Sequence, residues 1–302
     1  MKIIQSYWTK PLLSKQNNLK EIFFHYAYIT YSCLKYSDHY NVELFTDNHG
    51  KTILHDILDL PYTKINVVLD DINNYPVEFW AIGKIYTYLL QDEPFLHVDY
   101  DSFIWKPFPD DLLTKDLITQ DLEHELALNS EYYNSIENIL INIPQSIQEY
   151  RKSHKKVNCI NAGIIGGNDI TFIKKYAQEV FDFVNSNINN EKLLEVDNIG
   201  YFNVIFEQYL FYCLAESKHK NISYLLPIQT DHNYNRGLND YFDIPHNRHY
   251  LHALGGAKKD YRTRFQMIQR LWYEYPIYYN RLINYIKSNN PYQDEVSYKR
   301  EY

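Results

Sequence analysis

The chain has 302 residues and a mass of 36.4 kDa, with 45% hydrophobic and 23% charged residues, which is the composition of a globular protein. Its 30 lysine and arginine residues against 38 aspartate and glutamate residues give a net charge of −8, which excludes a broad basic surface for nucleic acid or an anionic membrane. No apolar run approaches the roughly 18 residues of a membrane span, and the polar N-terminus is unlike a signal peptide. The cysteines, Cys33, Cys159 and Cys213, lie far apart, which argues against a disulfide framework and favours a cytoplasmic location.

The first hundred residues alternate between strand and helix patterns. Short β-rich runs predict strands at 2–8, 41–46, 64–69 and 94–98. Between them, apolar residues at helical spacing predict helices over 19–34, 53–60 and 79–90, with a turn at 47–50. This β-α-β-α-β-α-β order predicts an α/β fold with a mostly parallel sheet and helices on both faces.

The second half of the chain is less regular. Strands are predicted at 117–119, 158–165, 224–226 and 249–253. Helices are predicted at 170–186 and 201–215, and one or two more run from 261 to about 288. The polar stretch 123–156 matches neither pattern. We therefore predict one compact unit with a helical tail.

The first motif that carries chemistry is Asp99-x-Asp101, directly after the predicted strand 94–98. In an open α/β sheet, ligands bind beyond the carboxyl ends of the strands. Alternation along the chain places both aspartates on one side, and two carboxylates there suit Mn²⁺ or Mg²⁺ with a diphosphate. A D-x-D triplet is expected about once by chance in such a chain, so its position after a buried strand is what favours a function.

A second motif, His252-x-x-Gly255-x-x-Lys258, begins at the end of the predicted strand 249–253. A neutral imidazole is a metal ligand, a glycine lets the backbone approach a ligand closely, and a lysine neutralises a phosphate as a point charge. The alternative interpretation is a structural histidine followed by an ordinary glycine turn.

A third motif, Asn161-Ala162-Gly163-Ile164, lies in the predicted strand 158–165. A polar asparagine and a glycine within a strand indicate a place where a ligand or another backbone comes close. A bulged strand followed by a turn explains the same residues without a ligand.

The three motifs, in this order, resemble those of the metal-dependent GT-A glycosyltransferases, specifically the glycogenin and lipopolysaccharide galactosyltransferase group. The resemblance implies a GT-A, Rossmann-like mixed sheet in a catalytic domain over 1–260, with a C-terminal helical extension over 261–302 packed on it. It implies that Asp99, Asp101 and His252 bind Mn²⁺ or Mg²⁺. It further implies transfer of a sugar from a nucleotide-sugar to a hydroxyl acceptor, and it favours a UDP-sugar as the donor.

The same resemblance implies further roles in the site. Donor-binding roles fall to Ser6, Tyr7, Trp8, Asp47, Lys84, Asn161, Gly255 and Lys258. Gln208 would lie beneath the reacting sugar of a retaining enzyme, whereas inversion would need a carboxylate base such as Glu207 or Asp121. The acceptor is a glycan, a lipid-linked sugar or a peptide, and no nucleic-acid partner is expected.

Two other classes of protein fit the same residues. A nucleotidyltransferase can share the sheet and the carboxylate pair, although no glycine-rich phosphate loop follows the first predicted strand. A non-catalytic carbohydrate- or protein-binding domain would bind its ligand without needing a metal.

Overall fold

The computed structural model describes residues 1–15, 18–196, 199–234 and 241–289. Within these ranges there are eleven strands: β1 Lys2–Tyr7, β2 Val42–Thr46, β3 Lys64–Val67, β4 Phe95–Val98, β5 Ser102–Ile104, β6 Leu117–Thr119, β7 Leu122–Glu123, β8 Cys159–Ile160, β9 Ile164–Gly167, β10 Ile222–Tyr224 and β11 Tyr250–His252. Most follow apolar and β-branched runs, and β1, β4, β6 and β9 are buried along most or all of their length.

Seven of these strands form the main sheet, in the order β10-β6-β9-β4-β1-β2-β3. Its strand pairs are parallel except those of β9, which runs antiparallel to both β4 and β6. The predicted α/β fold with a mostly parallel mixed sheet is therefore confirmed. Two small antiparallel pairs, β5 with β11 and β7 with β8, stand beside it.

The helices lie on both faces of the sheet. They are α1 Lys10–Leu13, α2 Leu19–Ser37, α3 Asn48–Lys51, α4 Ile82–Leu89, α5 Asp110–Leu113, α6 Ala127–Ile136, α7 Gln145–Ser153, α8 Ile170–Asn187, α9 Glu191–Leu194, α10 Gly200–Val204, α11 Leu210–Ser217, α12 Tyr261–Glu274 and α13 Pro276–Ser288. Two π-helical turns add Thr52–Ile57 and Ile205–Tyr209, and 3₁₀ turns add Leu69–Ile72, Glu137–Ile139, Tyr241–Asp243 and Gly255–Lys259.

Two apolar cores form because side chains alternate across each strand. Phe95 and Leu96 are neighbours on β4, yet Phe95 belongs to the core under α4, α8 and α11, and Leu96 to the core under α2 and α12. The C-terminal helices α12 and α13 pack on α2, where Tyr26 and Tyr285 meet edge to face at 5.6 Å. No helix in the described part of the chain is long and apolar enough to cross a membrane.

Several predicted elements differ from the structure. The strand predicted at 158–165 is two strands, β8 and β9, because the Asn161 side chain accepts a hydrogen bond from the Gly163 amide at 3.0 Å and turns the chain between them. The turn predicted at 47–50 is the start of α3, where the Asp47 carboxylate caps the Gly50 amide at 2.7 Å. The helix predicted at 201–215 is interrupted by a π-helical turn, and strand β5 was not predicted.

Candidate active site

Asp99 and Asp101 lie in the turn between β4 and β5, at the carboxyl edge of the main sheet. The turn is tight, because the Ser102 amide donates to the Asp99 carbonyl and the Asp99 amide donates to the Gly163 carbonyl, each at 3.0 Å. The antiparallel register of β11 with β5 places His252 opposite Ser102. Ligand atoms of Asp99, Asp101 and His252 all lie within 4.8 Å of one another. The structure thus brings together the three residues that the sequence singled out for a metal.

The orientation of the His252 ring is set by Gln120, which follows β6. The Gln120 Oε1 atom lies 2.6 Å from His252 Nδ1 and also accepts a hydrogen bond from the Tyr250 hydroxyl at 2.6 Å. Because a carbonyl oxygen only accepts, Nδ1 carries the proton. The Nε2 atom then faces the carboxylates, 3.3 Å from Asp101 Oδ1 and 4.0 Å from Asp99 Oδ2. A second residue that fixes the histidine tautomer in this way is a common feature of metal sites.

Because Gly163 has no side chain, the His252 ring and the Gln120 side chain can meet beside it. A Cβ atom at this position would overlap both the imidazole ring and the Gln120 side-chain oxygen. We expect Gly163→Ala to lower the free energy of unfolding by about 1–3 kcal/mol, because a buried clash forces side chains off their rotamers. Urea unfolding would measure this loss, and Gly256→Ala is the matched control, since a Cβ there meets nothing within 4 Å. Equal stabilities of the two variants would contradict this account of Gly163.

Two lysines neutralise the two aspartates. Lys84 Nζ lies 2.8 Å from Asp99 Oδ1 and also contacts the Glu207 carboxylate, whereas Lys258 Nζ pairs with Asp101. Burial opposes ionisation of Asp101, but Lys258 and His252 outweigh it and hold the pKa of this carboxyl below its usual range. Burial likewise opposes the charge on Lys84, whose pKa is nevertheless raised by Asp99 and Glu207. The site is therefore a compact ionic network rather than a set of separate charges.

Of the residues expected near the reacting sugar, Glu207 adjoins this network through Lys84, and Asp121 adjoins it through Gln120, which contacts His252. Glu207 is buried in the π-helical turn beneath Lys84, where burial raises its pKa and Lys84 opposes the shift, and Gln208 follows it half-buried. Asp121 is fully buried, and its Oδ1 atom has no hydrogen-bond partner. Burial and then the neighbouring Glu123 raise the pKa of Asp121 to about 7.

A cavity of about 410 Å³ opens in front of the aspartates. Of the residues that the sequence suggested, it is lined by Ser6, Tyr7, Trp8, Lys84, Asp99, Asp101 and Lys258. The end of β1 reaches it because this strand pairs with β4 at the centre of the sheet. The Trp8 indole is held by a hydrogen bond to Asn73 at 2.9 Å, so its ring is fixed at the cavity wall.

Three other suggested residues, Asp47, Asn161 and Gly255, are not among the residues that line this cavity. The Asp47 carboxylate accepts hydrogen bonds from the amide and hydroxyl of Thr9, at 2.7 and 2.8 Å, in addition to the Gly50 amide, so it fastens the end of β1 to α3. The Asn161 amide nitrogen donates to Glu123 at 2.9 Å. Gly255 has a φ of 47° and begins the exposed 3₁₀ turn that carries Lys258, a conformation that glycine adopts readily.

Several residues of the site carry no local sequence signal. His25 and Tyr100 line the cavity, and the Arg264 guanidinium donates to the Lys258 carbonyl at 2.6 Å while forming two hydrogen bonds with Glu21. Arg264 thus holds the turn that presents Lys258, although it stands on α12 in the C-terminal helices. The sequence carried one related signal, Gly163 of the third motif. Its missing side chain makes room for His252.

The chain belongs to a family of unknown function, DUF6734, whose model matches residues 1–285. No curated protein matches it. Among solved structures it is similar to the galactosyltransferase LgtC in complex with donor and acceptor sugar analogues, with 12% identity and a TM-score of 0.36 over 68% of this chain and 70% of that chain. It is also similar to the glycosyltransferase GlyE of Streptococcus pneumoniae TIGR4, with 12% identity and a TM-score of 0.41 over 95% of this chain and 64% of that chain. The chain therefore spans less than two thirds of the length of GlyE.

Proposed function

We propose that this protein is a metal-dependent glycosyltransferase that moves a sugar from a UDP-sugar to a hydroxyl acceptor. The observation that carries the proposal is the convergence of Asp99, Asp101 and the tautomer-fixed His252 on one point, beside a cavity that the two aspartates line together with Lys84 and Lys258. An isolated acidic pair has many explanations, but three candidate metal ligands held together beside two lysines in a cleft suit a metal-bound diphosphate.

The donor set fits Mn²⁺ or Mg²⁺. Two carboxylates supply hard oxygen ligands, and the His252 nitrogen shifts the preference towards Mn²⁺. When bound, such an ion would offset the negative charge that develops on the diphosphate as it leaves. The charges of the network agree with this proposal: Asp99, Asp101 and Glu207 exceed Lys84 and Lys258 by one negative charge, so a divalent cation makes the site positive, as an anionic diphosphate requires.

The protein's own side chains would divide the remaining work. Lys258 would place its ammonium against the diphosphate, where a preorganised charge is worth most in the transition state. Lys84 keeps the Asp99 carboxylate in place and bonds the buried Glu207. The rings of Tyr7 and Trp8 would enclose the nucleoside at the end of β1.

The reacting sugar would lie on the other side of the metal ligands. We place it against Gln208, with Asn161 and Asp121 near it. We propose that the transfer retains the configuration of the sugar's anomeric carbon. The acceptor is proposed to be a glycan, a lipid-linked sugar or a peptide, and the protein is proposed to act in the cytoplasm.

A thermal-shift panel tests the proposal. UDP, UDP-glucose, UDP-galactose, UDP-N-acetylglucosamine and UTP are each added with and without Mn²⁺, because a ligand that binds only the folded state raises the melting temperature by mass action. We expect a rise that requires UDP and Mn²⁺ together. A preference for UTP with a sugar phosphate would indicate a nucleotidyltransferase, and saccharide binding that ignores the metal would indicate a binding domain.

A further inference from the structure

Trp80 is a large aromatic residue on the wall of the cavity, and its surroundings do not bury it. Its residue surface is 45% exposed, whereas its chain neighbours Phe79 and Ala81 are fully buried. Phe79 packs edge to face on Phe202 at 5.5 Å, so the chain turns one aromatic ring inward and the next one out. An exposed tryptophan on the wall of a cleft offers a flat apolar surface to a ligand.

The backbone on both sides of Trp80 is held by one buried side chain. Asn203 accepts a hydrogen bond from the Ala81 amide at 3.0 Å and donates one to the Glu78 carbonyl at 2.7 Å. Asn203 is fully buried, so both bonds are shielded from water. The turn that carries the indole is therefore preorganised, which lowers the entropy cost of binding a ligand on it.

The position of Trp80 along the depth of the cavity indicates which substrate it meets. Its ring centroid lies 6.0 Å from Lys84 Nζ, which in turn contacts Asp99 and the deeply buried Glu207. Exposure falls from Trp80 to the Lys84 side chain at 12% and the Glu207 side chain at 1%. A donor has to reach the aspartates, whose side chains are 19% exposed at Asp99 and 2% exposed at Asp101, so the more exposed ring of Trp80 is left for the substrate that arrives over it.

We propose that Trp80 forms the acceptor subsite and that the acceptor is a saccharide, whose pyranose ring stacks its C–H face on the indole. This inference rests on the proposed function and names the substrate class that it left open. In the reaction, the acceptor's hydroxyl oxygen bonds to the anomeric carbon of the donor. The bond from that carbon to UDP breaks with its electron pair on the diphosphate, which also takes the hydroxyl proton.

The test compares Trp80→Ala and Trp80→Phe with Trp272→Ala. Trp272 is a matched control because it is 57% exposed on α12 and is not among the residues that line this cavity. UDP release is followed with the UDP-sugar that gives the largest thermal shift, in the presence of methyl glycosides of glucose, galactose and N-acetylglucosamine. The affinities for UDP and for that UDP-sugar, each with Mn²⁺, are measured in parallel by calorimetry.

In the wild type and in Trp272→Ala, we expect at least one glycoside to accelerate UDP release. Trp80→Ala should raise the KM for that glycoside about tenfold, the size of one aromatic stacking contact, while its affinity for UDP with Mn²⁺ equals that of the wild type. Trp80→Phe should recover most of the loss, because it keeps an aromatic face.

Three outcomes overturn the inference. An unchanged KM in Trp80→Ala removes Trp80 from the acceptor site, and a loss of affinity for the UDP-sugar but not for UDP assigns it to the donor sugar. A wild-type protein that binds UDP with Mn²⁺ but responds to none of the glycosides contradicts a saccharide acceptor and leaves the proposed function standing. Failure of the wild type to bind UDP with Mn²⁺ at all counts against the proposed function itself.

Discussion

Asp101→Asn is expected to abolish sugar transfer and to weaken Mn²⁺-dependent UDP binding by on the order of 100-fold or more, since even residues that only orient metal ligands cost 10–100-fold when changed. Asp101 is almost fully buried between His252 and Lys258. Asp99, the other carboxylate of the candidate metal-ligand trio, would already be a ligand itself and could not take its place. The amide has nearly the same shape but lacks the charge that a divalent cation needs. Isothermal titration of UDP in the presence of Mn²⁺ measures the loss.

The fold should survive this change, because the side chain of Lys258 is 39% exposed and can turn towards water when its partner is neutral. Asp56→Asn is the control, since it removes one charge from an exposed pair with Lys51 that lies outside the cavity lining. An Asp101→Asn variant that binds Mn²⁺ and UDP as tightly as the wild type would refute the metal site.

Lys258→Ala is expected to cost about 2–4 kcal/mol of transition-state stabilisation, the range found when one preorganised donor to a developing charge is removed. Because UDP carries the same phosphates as the donor, UDP affinity should fall while uridine affinity changes little. Equal losses for uridine and UDP would show that Lys258 does not contact phosphate.

The same variant has a second signature with the opposite sign. In the structure Lys258 pairs with the Asp101 carboxylate that would also bind the cation, so we expect it to compete with the ion until a diphosphate draws it away. Removing it should therefore tighten the binding of Mn²⁺ alone while weakening the binding of UDP. Lys287→Ala, which removes the same charge from the last turn of α13, should change neither affinity. A Lys258→Ala variant with weaker binding of Mn²⁺ alone would contradict this competition.

The predictions that succeeded rest on local patterns. Strands such as β1, β2 and β4 and helices such as α2 and α8 follow from apolar residues at spacings of two or about 3.6, which each segment carries within itself. The parallel order of the first four strands followed from their alternation with helices, because a parallel crossover needs a connection that long. The positions of Asp99 and Asp101 after a buried strand could also be predicted, because the apolar run of that strand directly precedes them in the chain.

The predictions that failed depend on contacts between distant segments. The strand predicted at 158–165 breaks at Asn161, whose side chain bonds Glu123 and the Gly163 amide, and no apolar spacing records such bonds. The asparagine that holds the turn of Trp80, Asn203, is 122 residues from Ala81 in the chain, too far for a local pattern to reveal.

By itself, the sequence determined the kind of fold and three short motifs with ligand-bearing residues, because hydrophobic periodicity and residue chemistry are properties of neighbouring positions. Only the tertiary structure decided which residues of those motifs lie together and how their side chains are oriented. The register of β11 on β5 brings His252 to the aspartates, Gln120 fixes its tautomer, and Arg264 holds the turn of Lys258 from a helix beyond the last motif. These contacts join residues that are far apart in the chain, and their geometry exists only once the two cores have packed against the sheet.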